Sequence, residues 1–283
     1  MKAFAVVVTY HPDLDRLITL VGSLLKQRIQ VIVVDNSSEF NFDNAIFKST
    51  QILKNSNKNG IAGAQNIGVS HATMAGAEFV CFFDQDSEVP DNFGCCLIEN
   101  RDPSVLSVYS PSIFDEKTGT ELPSFRISQF GLPNKVYSKG STKEYRVDLV
   151  ISSGTVVTSK TFELVGLLNS DLFIDLVDFE WCFRCMELKV PITCVPEVKM
   201  KHSIGLGRSF MTGSVHNSFR HYYKQRNPFY LLAYRHVPVM YSLKMILIAS
   251  IHSCIMIVTQ REFKLYCKST VRAMYDGIKY CLK

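Results

Sequence analysis

Short apolar runs alternate with helical segments through the first third of the chain, and this alternation is the feature that most constrains its fold. Residues 4–9, 31–34 and 79–83 are apolar runs typical of parallel strands that are covered on both faces. Residues 14–25 repeat leucine at helical spacing, and residues 62–75 carry the small side chains of a helix lying tightly on a sheet. This order predicts an α/β fold with a mostly parallel, Rossmann-like central sheet flanked by helices.

Polar clusters follow directly where these apolar runs end. They are Thr9 with Tyr10, Asp35 with Asn36, and Asp84 with Gln85 and Asp86. In open parallel sheets, ligands bind beyond the carboxyl ends of the strands. We therefore expect these clusters to meet at one edge of the sheet and to form a binding site there.

Asp84 and Asp86 stand one residue apart, so their carboxylates lie close together in a turn. Their mutual repulsion raises a pKa unless a cation lies beside them. Mg²⁺ and Mn²⁺ prefer one or two carboxylates together with phosphate oxygens, so a diphosphate substrate would complete such a site. The alternative is a solvated turn with no ligand.

Asp35 follows a separate apolar run, where a carboxylate can accept a hydrogen bond from a pyrimidine base or a ribose hydroxyl. The alternative for Asp35 is a turn former, because Asp, Asn and Ser commonly cap the next segment. From the residues alone, both interpretations stay open.

Three acids, Asp175, Asp178 and Glu180, are set among large apolar residues, and a helix is predicted to begin near Leu176. An acid in the first turn of a helix is stabilised by the helix dipole, which accounts for at least one of them. An apolar setting also raises a carboxyl pKa toward that of a useful general base.

Basic candidates occur in the last part of this region. His202 follows a predicted strand and could supply an imidazole to a metal, although a single histidine is more often a structural hydrogen-bonding residue. Arg220, Lys224 and Arg226 are interleaved with tyrosines and could clamp phosphates. The alternative is a solvated basic helix face.

Composition limits the class of protein. With 47% hydrophobic and 20% charged residues among 283, general disorder is excluded, and a net charge of +5 does not indicate a nucleic-acid partner. Nine cysteines include the pair Cys182 and Cys185, but no second Cys or His pair follows. We therefore expect buried cytosolic thiols rather than a zinc site.

The segment 239–258 is mostly apolar but is interrupted by Lys244 and His252, and basic residues flank it. These features favour a helix lying in the membrane interface. A helix packed on the main domain and a true membrane span remain alternatives. The N-terminus shows no signal-peptide pattern, so we expect the protein on the cytoplasmic side.

Taken together, these residues resemble glycosyltransferase family 2, the enzymes of the GT-A fold. Within that family the chain is most similar to bacterial rhamnosyltransferases of O-antigen assembly. The matching segments occur in the family's order between about residues 4 and 230. They are VVVTYHPD (6–13), VIVVDNSS (31–38), NGIAGAQNIG (59–68), FFDQDS (82–87), SSGTVVTSKTF (152–162), FIDLVDFEWCFR (173–184), KHSIG (201–205) and RHYYKQRN (220–227).

The resemblance implies a role for each candidate residue. Nucleotide-sugar-binding roles fall on Thr9, Tyr10, Asp35, Asn59, Gly60, Asn66, Asp84, Gln85 and Arg226. Metal-binding roles, for Mg²⁺ or Mn²⁺, fall on Asp86, Asp84 and His202. Asp178 matches the general base, and acceptor-side or secondary roles fall on Glu180, Trp181, Gly154 and Arg220.

The resemblance also implies an inverting transfer of L-rhamnose from dTDP-L-rhamnose to a lipid-linked oligosaccharide. It places a nucleotide-sugar half at 1–110 and an acceptor half at 111–235. Residues 236–283 lie outside the resemblance, and composition alone predicts that they form a helical, membrane-associating extension. Together with the resemblance to bacterial enzymes, this predicts a peripheral protein on the cytoplasmic face of the bacterial inner membrane. A UDP-hexose donor is the alternative, because contacts around the diphosphate do not identify the sugar. A sugar nucleotidyltransferase is disfavoured because no Gly-rich triphosphate loop opens the chain, and the intact acids argue against a non-catalytic membrane scaffold.

Overall fold

A computed structural model describes residues 1–37, 41–202, 208–209, 213–214 and 217–282. It contains twelve β-strands within the described residues, most of them short. In chain order they are β1 (Ala3–Thr9), β2 (Gln30–Asp35), β3 (Gln51–Lys54), β4 (Phe79–Asp84), β5 (Val108–Asp115), β6 (Ser124–Ile127), β7 (Pro133–Val136), β8 (Tyr145–Val147), β9 (Val156–Thr158), β10 (Ile192–His202), β11 (Arg208–Ser209) and β12 (Gly213–Ser214).

Eight of these strands form the central sheet, in the order β3-β2-β1-β4-β9-β5-β10-β8. β1 pairs in parallel with β2 and β4, β2 with β3, and β5 with β10. Among the described residues of this sheet, only β9 and the edge strand β8 run antiparallel to their neighbours. The predicted mostly parallel sheet is therefore confirmed, and the carboxyl ends of β1, β2 and β4 meet at one edge.

Helices cover both faces of the sheet. They are α1 (Leu14–Lys26), α2 (Gly60–Met74), α3 (Ser159–Val165), α4 (Val177–Glu187), α5 (Ser218–Ala233), α6 (Val239–Thr259) and α7 (Phe263–Cys281). Successive residues of a strand point to opposite faces, so Val6 and Val8 of β1 pack with α2 and α4, whereas Ala5 and Val7 pack with α1. The two cysteines of the C-x-x-C pair are buried in α4, as predicted for core thiols.

β6 and β7 form a hairpin, in which Phe125 is opposite Lys135. The hairpin turn includes Gly131, whose φ is positive. A second two-stranded sheet joins β11 and β12.

Helix α2 lies very close to β1, as its small residues predicted. A Cβ atom on Gly68 would be 2.3 Å from Cγ1 of Val6, so Gly68→Ala must push the helix away from the strand. We expect this variant to lower the free energy of unfolding by about 1–3 kcal/mol. Urea unfolding would measure the change.

Gly22→Ala is the matched control, because Gly22 also lies inside a helix but would place its Cβ 3.4 Å from the flexible end of Ile46. Removing a helical glycine there should leave stability equal or raise it by about 0.5–1 kcal/mol. Equal losses in the two variants would contradict the close packing of α2 on β1.

Candidate active site

A cavity of about 670 Å³ opens at the edge of the sheet where the predicted polar clusters lie. It brings together the carboxyl ends of β4 and β10, the start of α4, and one side each of α5 and α6. The ionisable side chains that line it are Asp84, Asp86, Asp175, Asp178, His202, Arg220, His221, Lys224 and His252. Five residues that were predicted separately from the sequence thus meet in this cavity. They are Asp84, Asp86, Asp178, His202 and Arg220.

Strand register places Thr9, Asp35 and Asp84 at the same level of the sheet. Thr9 is the register partner of Asp35, and Val8 is that of Asp84. The buried Asp35 uses its Oδ1 to accept hydrogen bonds from Thr9 Oγ1 at 2.8 Å, from Ser37 Oγ at 2.8 Å and from Ser37 N at 3.1 Å. Its Oδ2 has no partner within the described residues. Thr9 and Ser37 thus orient the carboxylate of Asp35, which does not itself line the cavity.

Gln85 fastens the turn after β4 to the turn after β1. Its Oε1 accepts from the backbone N–H of Tyr10 at 2.6 Å, and its Nε2 donates to the carbonyl oxygen of Tyr10 at 3.3 Å. The ring of Tyr10 is 56% exposed and meets His11 edge-on. Gln85 is therefore a positioning residue, while the Tyr10 ring remains open to a flat ligand such as a base.

His202, at the end of β10, faces Asp84 across a gap of 3.7 Å between Nδ1 and Oδ2. This Nδ1 is buried and has no hydrogen-bond partner in the described part of the chain. Burial raises the pKa of the Asp84 carboxyl; His202 opposes this shift and Asp86 adds to it. Asp84 and Asp86 thus lie close together beside a buried nitrogen of His202 that has no hydrogen-bond partner in the described residues. A divalent cation would stabilise this arrangement.

The residues present fit a metal that also takes ligands from its substrate. Among the described residues, no group of three or more His, Cys, Asp or Glu side chains is arranged to hold a metal ion by itself. Mg²⁺ and Mn²⁺ commonly keep few protein ligands and complete their shell with phosphate oxygens. Asp84, Asp86 and His202 would therefore hold such an ion together with a bound diphosphate.

Asp178 enters the cavity from the first turn of α4. Its Oδ1 accepts from Phe179 N at 2.9 Å, and its Oδ2 accepts from Ser152 N at 3.2 Å. Burial raises the pKa of Asp178 to about 6, although these two backbone N–H groups oppose the shift and Asp175 adds to it. A fixed carboxyl with a pKa near 6 is well matched to general base catalysis at neutral pH.

Backbone strain precedes Asp178. Phe173, Asp175 and Leu176 all have positive φ, between 63° and 65°, which is costly for residues with large side chains. The segment is held from outside, because the carbonyl oxygen of Phe173 accepts from Ile61 N at 2.9 Å. Its contact with the start of α2 therefore helps to fix where α4 begins and where Asp178 points.

The activity of a base with this pKa should depend on pH in a defined direction. Asp178 acts as a base only when ionised, so we expect the transfer rate to rise with pH through about 6 and then level off. Because the pKa of Asp178 is higher in the folded protein, the ionised carboxylate disfavours folding. This unfavourable effect on stability grows as pH rises from 3.8, the pKa in the unfolded chain, through about 6. A pH profile of the rate would test the first point; a flat profile across pH 6 would contradict it.

Arg220 and Lys224 supply the positive charge of the cavity. Arg220 makes a paired contact with Asp175, at 3.1 Å from Nε and 2.8 Å from an Nη atom, and Lys224 lies one helical turn later. Burial lowers the pKa of Lys224, whereas Asp175 opposes that shift. Both cations are thus placed where they can meet an anionic ligand.

Arg226 corrects the prediction of a phosphate contact, because it lies outside the cavity. Its guanidinium is buried 4.2 Å from the ring centre of Tyr230 and 4.7 Å from that of Tyr223, and it donates to Asn227 Oδ1 and the carbonyl of Asp171. Six residues along a helix turn a side chain well away from the first position. Arg220 and Lys224, four residues apart, are the pair that shares the cavity face.

Glu180 and Trp181 also differ from their predicted acceptor-side roles. Glu180 is only 2% exposed and pairs with Arg184 at 3.0 Å and with His236 at 2.9 Å. Trp181 is buried and donates from Nε1 to the carbonyl oxygen of Gly166 at 2.9 Å. Helical spacing turns Glu180 away from the side of Asp178 that faces the cavity, and Trp181 is held in the core by its contact with Gly166. The roles of both residues are therefore structural.

Asn66 was predicted to contact the donor, but its amide is used within the protein. It donates to the carbonyl oxygen of Leu168 at 2.8 Å and to Ser170, and it accepts from Leu168 N at 2.9 Å. It does not line the cavity. Asn66 instead holds the loop before α4 against α2.

Backbone conformation and close packing explain why Asn59, Gly60 and Gly154 occupy their positions. Asn59 precedes α2 with φ of 59°, and a Cβ on Gly60 would lie 2.3 Å from the carbonyl oxygen of Phe173. Gly154 has φ of 75° and would place a Cβ 2.8 Å from both Met200 Sδ and Pro111 Cγ. None of the three lines the cavity, so each shapes it indirectly.

The far wall of the cavity was missed by sequence reasoning. It comes from α5 and α6, through His221, Gln225, Met245, Ile248, Ala249, His252 and Ser253. Hydropathy shows that α6 is apolar but does not show what lies against it. The interruption of the apolar run by His252 was the available signal, because that side chain lies on the cavity face.

Comparisons of the sequence with known proteins identify a family and a relative. The sequence model of Glycosyl transferase family 2 matches residues 5–142. The chain is 34% identical to the dTDP-rhamnosyl transferase RfbF of Shigella flexneri, over 98% of this chain and 95% of that protein.

Solved structures share the fold at low sequence identity. A structure of GalNAc-T7 with UDP, GalNAc and Mn²⁺ superposes with a TM-score of 0.60 at 14% identity, over 97% of this chain. S. aureus TarS gives 0.59 at 14% identity, over 99% of this chain. The chain spans about half the length of these two proteins, 57% and 49% respectively. The sheet, the cavity and the likeness to a relative along nearly the whole length lead to one conclusion: the chain belongs to glycosyltransferase family 2 and has the GT-A fold.

Proposed function

We propose that this glycosyltransferase moves L-rhamnose from dTDP-L-rhamnose to a hydroxyl of a lipid-linked oligosaccharide, with inversion of the anomeric carbon. The donor is suggested by the name of the Shigella relative. The observation that carries the chemistry is the shared cavity, in which Asp178 lies with Asp84, Asp86 and His202. The end of the cavity with Asp84, Asp86 and His202 thus suits a diphosphate. Asp178, whose pKa is raised, lies beside it as the proposed base.

Inversion is supported by the arrangement of the acids. A single displacement needs one base, whereas retention through a covalent intermediate needs a carboxylate placed as a nucleophile. Asp175, another carboxylate that lines the cavity, is held in a paired contact by Arg220. Asp178 is therefore proposed to take the proton of the acceptor hydroxyl as that oxygen attacks the anomeric carbon.

Negative charge grows on the departing diphosphate as the bond to the sugar breaks. Arg220 and Lys224, from one face of α5, would stabilise this charge. A divalent ion held by Asp84, Asp86 and His202 would supply further neutralisation of the diphosphate. On the nucleotide side of the site, the oriented carboxylate of Asp35 would accept a hydrogen bond from the N3–H of a thymine base.

The C-terminal helices support a membrane-bound acceptor. α6 is long and apolar enough to cross a bilayer, with mean hydropathy of 1.8, and 17% of that segment is buried in the protein. Ser253 of α6 nevertheless bonds Gln225 of α5 at 2.8 Å, so one side of the helix is held on the catalytic domain. We therefore propose peripheral contact of 236–283 with the cytoplasmic face of the inner membrane.

Slow hydrolysis of the donor would test this function without an acceptor. Purified protein with Mg²⁺ or Mn²⁺ would be given dTDP-L-rhamnose, dTDP-glucose, UDP-glucose or UDP-galactose, with and without EDTA, and released nucleoside diphosphate would be measured. Comparing the two dTDP-sugars separates recognition of the base from recognition of the sugar. Metal-dependent release that is fastest from dTDP-L-rhamnose supports the proposal, and release only from a UDP-sugar overturns the donor.

A further inference from the structure

The tip of the β6–β7 hairpin packs against the start of α6. Its turn is closed by hydrogen bonds from Gly131 N to the carbonyl of Ser128 at 2.8 Å and from Ser128 N to the carbonyl of Leu132 at 2.9 Å. A Cβ on Gly131 would lie 2.6 Å from Cβ of Pro238, so the two elements are in close contact. Two segments more than a hundred residues apart thus form one continuous surface.

Large apolar side chains on this surface face solvent. Phe130 is 70% exposed and Leu132 is 38% exposed on the hairpin tip. The first turns of α6 present Val239, Met240 and Leu243, each about half exposed. Large apolar side chains that are exposed together on two adjoining elements are the composition of an interaction surface. We call these five residues the hairpin–α6 patch.

The charge around the patch favours an anionic partner. Residues 122–143, which include the hairpin, contain four Lys or Arg and no Asp or Glu. Residues 236–283 contain seven Lys or Arg and two acids, which accounts for the whole net charge of +5. An apolar patch bordered by basic segments matches the interface of a bilayer that contains anionic lipid.

We propose that the hairpin tip is a second membrane anchor, in which Phe130 and Leu132 enter the interface of an anionic bilayer beside the first turns of α6. This inference rests on the proposed membrane contact of 236–283 and extends it to a part of the catalytic domain. Because α6 is held on the catalytic domain, a second membrane contact at the hairpin tip fixes how that domain is oriented on the bilayer surface. Met245, Ile248 and Ala249 of α6 line the cavity, so this orientation also sets how the cavity faces the membrane.

Vesicle binding tests the anchor without any sugar substrate. The full chain and Phe130→Ser/Leu132→Ser would be titrated with vesicles of phosphatidylcholine and phosphatidylglycerol, and with phosphatidylcholine alone. Loss of two apolar anchors should weaken partition into the anionic vesicles by about tenfold or more. Met74→Ser/Val105→Ser is the matched control, because both residues are exposed and apolar but lie at the amino edge of the sheet, away from the hairpin. Its partition should stay within about twofold of the wild type.

Depth of insertion gives a second measurement. The only tryptophan, Trp181, is buried and provides a constant background, so Phe130→Trp would report the hairpin tip alone. Quenching of the added emission by brominated lipid is expected. Unchanged partition of the double serine variant, or no quenching, would overturn the anchor while the contact of 236–283 stands. Failure of the wild type to bind would overturn both membrane proposals. Donor hydrolysis, expected to be equal in all these proteins, reports separately on the transferase.

Discussion

Replacing Asp178 with Asn is expected to lower the transfer rate about a thousandfold while donor binding stays within about threefold of the wild type. A positioned general base contributes roughly a hundred- to ten-thousandfold, and Asn cannot take the acceptor proton. Asp178 lines the cavity at the start of α4, and its oxygens are held by Ser152 N and Phe179 N. Transfer would be measured with donor and acceptor, and donor binding by calorimetry.

The variant should also fold normally. Ionised Asp178 disfavours folding above its pKa of about 6, so its neutral replacement should not lower the thermal midpoint at pH 8. Asp171→Asn is the matched control, since it makes the same chemical change at an exposed position of the same segment. Retained transfer in Asp178→Asn would assign the base to another residue. Loss of donor binding together with transfer would place Asp178 in the donor site instead.

Replacing Asp86 with Ala should reduce metal-dependent donor hydrolysis about a hundredfold or more, and it should weaken binding of Mn²⁺ in the presence of nucleoside diphosphate. Asp86 lines the cavity beside Asp84 and His202, whose Nδ1 is buried without a partner in the described residues. Electrostatic stabilisation of a leaving group is usually among the largest contributions to catalysis. Hydrolysis and the electron paramagnetic resonance of Mn²⁺ would be followed in parallel.

Asp91→Ala provides the comparison, because Asp91 is an exposed acid five residues further along and does not line the cavity. It should bind Mn²⁺ and hydrolyse donor as the wild type does. If Asp86→Ala retains Mn²⁺ binding, the ion is held elsewhere. If both variants lose it equally, the effect comes from overall negative charge rather than from a ligand.

The edge of the sheet could be predicted because it depends on local pattern. Apolar runs define β1, β2 and β4, and the polar residues that end them must fall at the same edge once the strands pair in parallel. The same holds for Asp178, whose apolar neighbours predicted burial and a raised pKa. In both cases the relevant information lies within a few residues of the site.

The rest depends on the direction in which a helix or loop faces, which the local sequence leaves open. Arg226 was preferred to Arg220 as the phosphate contact, but the packing of α5 turns it toward Tyr223 and Tyr230. Gly60 and Asn66 belong to the family segments, but the structure explains them by a close approach to Phe173 and a loop contact at Leu168. The α6 wall was not predicted, because an apolar helix does not reveal its partner and His252 was the only local signal for it.

The contact between Glu180 and His236 joins α4 to the C-terminal extension at 2.9 Å. Glu180 lies two residues after Asp178 and its carboxylate is almost fully buried, while His236 is the first residue of the extension. A chain shortened to Arg235 would retain every family segment, yet it would lose this partner and the cavity wall built from α6. Variants of the C-terminal extension are therefore better made by substituting the exposed residues of α6 and α7 than by truncation.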